Sequence, residues 1–252
     1  MNLPRLHNTL LVPVELCSYA ISNRLSAKLE VLIALKFHIR SGKGKLTEKD
    51  FITIGRSIGK TSRTVRNNIN ALIALNWIGH NKANGYYHVR SFGRIMAMCG
   101  LKSGQHCMMY EQDLKRVQAF VCGAPISYFS KQTINRSKST KKTERNARGS
   151  SEPRLTDFTN GTPCSSRGLA QLIGTSSSTA HRMKSKARSG DFIIVNESFI
   201  NTGVLWPFKR HFIASNPQVA CRVQIRHNHV VIMKPDNVIS KMEIKGKKLK
   251  KY

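Results

Sequence analysis

The feature that most constrains this fold is a short turn pattern that occurs twice. The first copy is GRSIGKTSRTV, residues 55–65, and the second is AQLIGTSSSTA, residues 170–180. Both copies place a small residue, an isoleucine, a glycine, a threonine and a small apolar residue at the same spacing. Two helices that cross closely need a small residue at the crossing, a glycine in the turn between them and an apolar residue inside the second helix. The sequence therefore predicts two helices joined by a tight glycine turn in each half of the chain.

Helix signals surround the first turn. Apolar side chains at helical spacing predict an amphipathic helix before it: Leu25, Leu29, Leu32, Ile33 and Phe37. Thr47 and Asp50 have capping-box spacing, which predicts a helix over 48–58. Gly59 supplies the left-handed turn, and Thr61 caps a third helix over 62–76. Three successive helices are expected.

A hairpin is predicted directly after the third helix, in NWIGHNKANGYYHVRSF. The pair Asn84-Gly85 is typical of a two-residue turn in which both residues have positive φ. Polar residues of this hairpin either touch nucleic acid or only cover a core of Trp77, Tyr86 and Val89; both interpretations stay open. They are His80, Asn81, Lys82 and Asn84.

The remaining chain divides by composition. Residues 1–130 form a first domain whose last part, 92–130, is helical with Leu114, Val117, Phe120 and Val121 on one stripe. Residues 131–162 read as a basic disordered linker, because apolar residues are nearly absent. Residues 163–240 form a second unit, with strands expected over 191–195, 204–214 and 221–233 and a turn at 234–237. A lysine-rich tail, 241–252, is expected to be mobile. The linker carries eight cations: Lys131, Arg136, Lys138, Lys141, Lys142, Arg145, Arg148 and Arg154.

Charge indicates the class of partner. The 252 residues contain 42 Lys and Arg but only 13 Asp and Glu, for a net charge of +29. A 40% hydrophobic fraction suffices for a folded core, so this excess decorates a folded protein and attracts polyanions. No apolar run could span a bilayer and no leader is recognised, so no membrane partner and a cytoplasmic, nucleoid-associated location are expected. Six scattered cysteines are expected to be reduced.

Both turn segments resemble the winged helix-turn-helix family, through Gly55, Gly59 and Val65 and through Ala170, Gly174 and Ala180. The resemblance implies an α+β fold with two such units joined by the basic linker. It also implies that the second helix of each motif, 62–76 and 177–188, enters the major groove of duplex DNA. Arginine can bridge guanine and asparagine can pair with adenine, whereas the second helix is less charged and should bind more weakly. The candidate DNA contacts are Lys60, Thr61, Ser62, Arg63, Arg66, Asn67, Asn70, Lys82, Ser176, Ser177, Ser178, His181, Arg182 and Ser185.

The expected function is sequence-specific binding of double-stranded DNA at a bipartite or repeated site. Two winged helices in one chain resemble plasmid and phage replication initiators, whereas single winged helices resemble transcriptional regulators. The expected partners beyond DNA are a second copy, or the replication or transcription machinery. An RNA-binding or nucleoprotein-packaging protein that uses charge alone is the alternative.

An enzyme is not expected, and neither is a cofactor or a metal. No phosphate-binding glycine loop is present, and no acidic pair is spaced for two-metal chemistry. His227-Asn228-His229 on a predicted strand leaves a metal-dependent replication nickase as a remote alternative. That family uses a hydrophobic residue between the histidines and a downstream tyrosine, but here asparagine intervenes and only Tyr252 follows.

Overall fold

The computed structural model describes residues 8–102, 104–147 and 161–245, with the backbone alone for 136–147. The chain is a mixed α+β protein, and its described strands form four three-stranded antiparallel sheets. The described part of the chain begins with β1 (Thr9–Pro13) and α1 (Val14–Ser22). The α+β class is confirmed at this level.

A first unit follows, and its elements alternate in a compact order. They are α2 (Ser26–His38), β2 (Lys43–Lys45), α3 (Glu48–Ile58), α4 (Ser62–Ala74), β3 (Ile78–Asn81) and β4 (Tyr86–Val89). The three strands pair in the order β2-β4-β3. The apolar stripe of α2 is buried, and Val65, Ile69 and Leu72 of α4 pack into the same core.

The local helix signals of this unit are confirmed. Thr47 Oγ1 accepts from the Asp50 amide, and the Asp50 carboxylate accepts from the Thr47 amide at 2.7 Å. Gly59 ends α3 in the left-handed region, at φ 65°. Thr61 Oγ1 accepts from the Thr64 amide and starts α4. Each signal acts within four residues, so no distant contact is needed to form it.

The predicted two-residue turn at Asn84-Gly85 is wrong. Asn81 pairs with Tyr86, so the loop has four residues, 82–85, and of these only Gly85 has positive φ. The side chains of Asn81 and Asn84 accept from the amides of Ala83 and Tyr86. These side-chain hydrogen bonds stabilise a four-residue loop, which is longer than the two-residue turn that an Asn-Gly pair predicts.

The segment predicted as wholly helical contains a strand. It comprises α5 (Phe92–Met98), β5 (His106–Tyr110), a 3₁₀ turn (Glu111–Arg116) and α6 (Val117–Ala147). β5 pairs with β1, about 100 residues away in sequence, and that pairing carries no local signal. The four residues of the predicted stripe are buried, as expected.

The predicted disordered linker begins as helix. α6 continues to Ala147, so residues 131–147 are helical, whereas 148–160 lie outside the described residues. Extending a helix adds one hydrogen bond for each residue ordered, whereas starting one is costly. The first half of α6 is buried, and its packing offsets the cost of starting the helix. Lysine and arginine are good helix formers, so the basic residues that follow can extend it. The Lys131 ammonium also donates to the Ile244 carbonyl at 2.9 Å.

A second unit follows with elements in a similar order. They are β6 (Thr162–Pro163), α7 (Ser166–Ile173), α8 (Ser177–Ser189), β7 (Ile193–Asn196) and, much later, β11 (Asn237–Ser240). These strands pair in the order β6-β11-β7. The core of this unit contains Cys122 and Ile126 of α6, while Phe120 and Val121 belong to the core of the first unit. Both units therefore pack against the same helix.

The two turns have the same hydrogen bonds. The Lys60 amide donates to the Gly55 carbonyl at 2.8 Å, and the Thr175 amide donates to the Ala170 carbonyl at 2.9 Å. Gly174, like Gly59, is left-handed. The sequence repeat is thus a repeat of backbone structure.

The helices after the turns also start alike. Thr61 Oγ1 lies 2.9 Å from Thr64 Oγ1, and Ser176 Oγ lies 2.9 Å from Thr179 Oγ1. Each capping hydroxyl accepts from the amide three residues later at 3.2 Å. The two helices therefore begin at equivalent points of the repeat.

Residues 197–236, between β7 and β11, form a small subdomain that we call the insert. It contains β8 (Phe199–Leu205), a 3₁₀ turn (Trp206–Phe208), α9 (Lys209–Ser215), β9 (Val223–Arg226) and β10 (His229–Met233). Its strands pair in the order β8-β10-β9. The strand predicted over 204–214 is wrong, because only its first residues are extended. Pro207 in the first turn of the helical stretch suits its start.

The C-terminal tail is ordered at its beginning. Residues 244–245 form β12, which pairs with β5 of the N-terminal sheet. Residues 246–252 lie outside the described residues. The expectation of a mobile tail is therefore wrong for its described beginning.

Gly55→Ala is expected to lower the free energy of unfolding by about 1 to 2 kcal/mol. A Cβ at Gly55 would lie 2.5 Å from the Lys60 carbonyl oxygen, so the turn must shift. Alanine at the equivalent Ala170 indicates that a shifted backbone is reachable, which limits the loss. The measurement is urea unfolding at neutral pH. Gly93→Ala in α5 is the control, since its Cβ meets open space and should be neutral or stabilising. Equal losses in both variants would contradict the clash.

Asp50→Ala is expected to lower the free energy of unfolding by about 1 kcal/mol at pH 7. Hydrogen bonds from the Thr47 amide and hydroxyl, and then from His38, hold the pKa of Asp50 below its usual value. This stabilisation is complete above the unfolded-state pKa of about 3.9 and disappears as pH falls through the lower folded-state pKa. Urea unfolding from pH 2 to pH 7 should show the difference between wild type and variant vanishing in acid. Asp50→Asn keeps an acceptor and should reduce that pH dependence; a difference independent of pH would contradict the cap.

Candidate nucleic-acid interface

The outer face of α4 is open to solvent. Arg63, Arg66, Asn67 and Asn70 are exposed, while the apolar residues of the helix point into the core. Gly59 and the Thr61 cap start the helix so that these four polar side chains share its outer side. The structure thus keeps the predicted first-unit face accessible and brings together two guanidinium and two amide groups.

The two arginines of this face differ in their contacts. Arg66 forms an ion pair with Glu48 of α3, and its guanidinium lies 5.2 Å from the centre of the Phe51 ring. Among the described residues, Arg63 makes no hydrogen bond, ion pair or ring contact. A guanidinium without an internal partner has all its donors available to a ligand. Arg63 is therefore the stronger candidate for base contact, a distinction that the sequence did not reveal.

The capping hydroxyls are already engaged. Thr61 and Ser176 accept from backbone amides, so their first role is to start α4 and α8. Ser62 is half-buried, whereas Ser177 and Ser178 are exposed on the first turn of α8. The cap residues consequently position the helices, and exposed hydroxyls stand beside the cap of α8 but not beside that of α4.

Lys60, in the first turn, faces a buried carboxylate. Its ammonium lies 3.7 Å from Glu30 Oε2, and the Glu30 side chain is 1% exposed with no hydrogen bond to either oxygen from the described residues. Burial raises the pKa of Glu30, and the positive charges of Lys60 and Lys186 oppose that shift. The Lys60 ammonium is thus engaged by a buried carboxylate of its own unit, so it is less available than Arg63 to contact a ligand.

The hairpin beside α4 has more basic groups than the sequence indicated. Lys82 is exposed in its loop, and the ring of His80 stacks on Tyr87 with centroids 4.3 Å apart. Lys43 and Lys45 of β2 are exposed, with both ammonium groups about 5 Å from the Tyr86 ring centre. Sequence reasoning missed these lysines because β2 is only three residues long. The alternation Lys-Gly-Lys was the available signal.

The predicted face of α8 is exposed but borders a cleft. Ser177, Ser178 and Arg182 lie open on the helix. His181 and Ser185 line a cleft of about 380 Å³ between α8 and the insert, with Arg188 beside them. The insert therefore adds a second wall to the α8 surface, which the sequence did not anticipate.

Ion pairs hold the walls of this cleft. Lys184, almost fully buried, bonds to Asp236 and donates to the Cys164 carbonyl at 3.1 Å. Arg226 pairs with Glu197 at 2.5 Å. Within the described chain, neither His181 nor Arg188 has such a partner, so the positive charge of Arg188 at the cleft is left unbalanced.

Acidic side chains are largely neutralised inside the protein. Among the described side chains, every carboxylate except Glu15 and Asp50 lies within 4.0 Å of a lysine or arginine nitrogen, and Asp50 Oδ1 lies 2.9 Å from Nε2 of His38. The surplus cations of the sequence thus have no internal counter-charge and must be balanced by solvent ions or a polyanion.

The histidine triplet lies at a hairpin tip. His227 and Asn228 both have positive φ and form the two-residue turn between β9 and β10, so the strand predicted through His227 is wrong. A ring nitrogen of His229 lies 2.9 Å from the His227 carbonyl oxygen. Within residues 8–102, 104–147 and 161–245, no three His, Cys, Asp or Glu side chains gather as metal ligands would.

The six cysteines are free thiols. Burial raises the pKa of Cys107 to about 12 and those of Cys122 and Cys164 to about 11. These three thiols are therefore protonated at neutral pH and serve as small apolar groups in the core. In the part of the chain that the structure describes, no helix has the length and apolar character needed to cross a bilayer.

No protein-family model matches this chain, and searches among curated proteins and solved structures find no match either. Its function is therefore inferred from the residues and contacts described above.

Proposed function

We propose that this protein binds double-stranded DNA in a sequence-specific manner through two winged helix-turn-helix units. The observation that carries the proposal is the repeated turn, which in both copies leads into a capped helix whose outer face is polar and exposed. A face of this kind fits the major groove, where guanidinium and amide groups can meet base edges.

The first unit is the main reader. The order helix, strand, helix, helix, strand, strand, with one three-stranded sheet, supports its assignment as a winged helix. Arg63, Asn67 and Asn70 supply base contacts, whereas Arg66 is partly neutralised by Glu48 and contributes less. Lys43, Lys45 and Lys82 are exposed on the sheet and hairpin of the same unit and supply phosphate contacts.

The second unit supplies a weaker contact. Its exposed face has two short serine hydroxyls, Ser177 and Ser178, and one guanidinium, Arg182. The insert lies between β7 and β11, where a winged helix has its wing. His181, Ser185 and Arg188, in the cleft beside the insert, offer donors to a phosphate backbone. The second unit therefore increases affinity and fixes the position of the protein along the duplex, and it contributes little to recognition of bases.

The target is a bipartite duplex site with constant spacing. Both units pack on α6, and Gly190 after α8 approaches α6 so closely that a Cβ would lie 2.2 Å from Ala119 Cβ. A shared helix restricts the relative movement of the two reading helices, unlike a flexible tether. Binding one half-site then presents the second helix to the other half-site at high effective concentration.

Selection of bound duplexes from a random pool tests the proposal. The expected result is enrichment of one motif with two elements at a constant separation. Competition with structured RNA of equal length should displace the selected duplex poorly. No enrichment, together with equal competition by RNA and random duplex, would favour a packaging protein that uses charge alone.

The biological role that we propose is binding at a replication origin of a mobile element, in the cytoplasm. This rests on the resemblance of two linked winged helices to plasmid and phage initiators, with transcriptional regulation as the second role. Footprinting distinguishes them, since repeats within an origin support initiation and sites overlapping promoters support regulation. A second copy or replication proteins would join through surfaces other than α4 and α8.

A further inference from the structure

The insert is strongly basic and contains no acidic residue in its interior. From Ser198 to Pro235 the chain has no Asp or Glu. The same stretch carries five Lys and Arg residues and three histidines: Lys209, Arg210, Arg222, Arg226, Lys234, His211, His227 and His229. Apart from the Arg226–Glu197 pair, the described ion pairs use none of these five cations. The insert thus presents a positive surface of its own.

Large aromatic side chains are exposed on the same subdomain. Trp206 is 52% exposed, Phe208 59% and Phe199 41%. The buried apolar residues of the insert are only three valines, Val223, Val230 and Val231. Rings of this size dominate burial when a core is available, so exposure of three in one small subdomain indicates an interaction surface.

The backbone holds two of these rings firmly. Trp206 and Phe208 flank Pro207 in one 3₁₀ turn, and the Trp206 amide donates to the Asn228 carbonyl at 3.0 Å. Lys209 and Arg210 follow directly in α9, and the Arg226 guanidinium lies 5.7 Å from the centre of the Phe199 ring. Residues 206–210 therefore hold two rings and two cations close together in the chain, and Arg226 places a further cation against the ring of Phe199.

Charge complementarity identifies the occupant of this surface. A purely apolar protein partner would leave the basic groups without counter-charge, whereas an unpaired nucleic-acid strand offers phosphates to the cations and bases to the rings. In a duplex the base faces are stacked on each other and closed to side chains, so exposed rings suit single strands. The insert also borders the α8 cleft, so a strand leaving a duplex bound there could reach it.

We propose that the insert is a single-stranded DNA-binding site in which Trp206 and Phe208, assisted by Phe199, stack on bases while Lys209, Arg210 and Arg226 contact phosphates. This activity is separate from duplex reading by α4. In an origin-binding protein it would hold one strand after the duplex opens; that last role, but not the single-strand site itself, rests on the proposed function.

Tryptophan fluorescence of the full chain gives a direct test. The protein has two tryptophans, and Trp77 is buried at 2% exposure, so a ligand that stacks on the insert should quench Trp206 selectively. Oligodeoxythymidylate of about 16 nucleotides should quench the emission in a saturable way. An abasic deoxyribose-phosphate strand of the same length has the same charge and should not. Quenching by both strands alike would overturn stacking.

Substitutions that keep apolar area but remove the ring sharpen the test. Trp206→Leu and Phe208→Leu should each weaken binding of labelled oligodeoxythymidylate by about 5- to 100-fold, as measured by anisotropy. Leu205→Ala, which removes a neighbouring exposed apolar side chain, should change it less than about 2-fold. Binding of the selected duplex should stay unchanged in all three variants. If selection enriches no duplex while the protein still binds oligodeoxythymidylate, the proposed function is rejected and the single-strand site is retained.

Three results would overturn the proposal. Wild-type affinity in both leucine variants would show that the rings do not stack on bases. Binding of anionic phospholipid vesicles in place of the oligonucleotide would make the surface a lipid contact. Self-association abolished by Trp206→Leu, without any oligonucleotide binding, would make it an interface between copies. Oligouridylate in parallel determines whether RNA single strands share the site.

Discussion

Arg63→Ala is expected to weaken binding to the selected duplex by about 5- to 100-fold and to leave unrelated duplexes almost unaffected. The corresponding loss is about 1 to 3 kcal/mol, typical of a side chain that contacts a base. Arg63 is exposed on α4 and, in the described structure, has no internal partner that would restrain its guanidinium. Electrophoretic mobility shifts on the selected and a scrambled duplex measure both affinities.

Two comparisons separate base reading from charge. Arg66→Ala should also relax discrimination but by less, because Glu48 and the Phe51 ring already engage that guanidinium. Neutralising Lys141 and Lys142, on the helical stretch once expected to be a linker, should weaken all duplexes about equally and flatten the dependence on salt.

The opposite pattern would contradict the assignment of the readers. If Arg63→Ala weakened all duplexes equally while the lysine variant altered sequence preference, α4 would contact the backbone and another surface would read bases. The control is that Arg63→Ala keeps the circular dichroism spectrum and the urea midpoint of the wild type, which shows that weaker binding is not caused by unfolding. Both should be unchanged because an exposed side chain without partners should not affect stability.

Asp236→Ala is expected to lower the free energy of unfolding by about 3 kcal/mol at neutral pH. Lys184 is almost fully buried, and without Asp236 its ammonium would keep only the Cys164 carbonyl as a described partner. A buried charge that loses its counter-ion keeps its desolvation cost without the attraction that offset it. Asp236 is itself partly exposed, so water can enter and the loss should stay near the low end for such pairs. Urea unfolding measures it.

Lys184→Met is the matched control for this pair. It removes the buried charge, keeps similar volume and leaves Asp236 where water reaches it, so the loss should be within about 1 kcal/mol. If the two variants were equally destabilised, lost attraction rather than an isolated buried ammonium would explain the effect. A loss below about 1 kcal/mol for Asp236→Ala would show that Lys184 does not depend on this ion pair.

Local signals predicted much of the helix framework. The capping box at Thr47, the left-handed glycines at positions 59 and 174 and the bounds 48–58 of α3 are all confirmed. The exposure of the candidate side chains on α4 and α8 also follows from periodicity once the buried positions are known. These features depend on interactions within about four residues, which a single sequence displays directly.

Features that depend on distant partners were missed. β5 exists because β1 and β12 pair with it, and the 204–214 run is apolar enough to suit either a strand or a helix. The helical start of the supposed linker depends on the packed half of α6 that precedes it. Propensity and periodicity depend on a short window of sequence, and that window does not contain the distant strand or helix with which a segment will pack.

The sequence by itself determined the two glycine turns, their caps and the positive surplus, because each follows from short-range geometry or from counting charges. Only the tertiary structure decided that Arg63 is free while Arg66 and Lys60 are engaged, that both units share α6, and that three aromatic rings of the insert remain exposed. Ion pairing, shared packing and exposure arise between residues far apart in the chain, so they become defined only when folding brings those residues together.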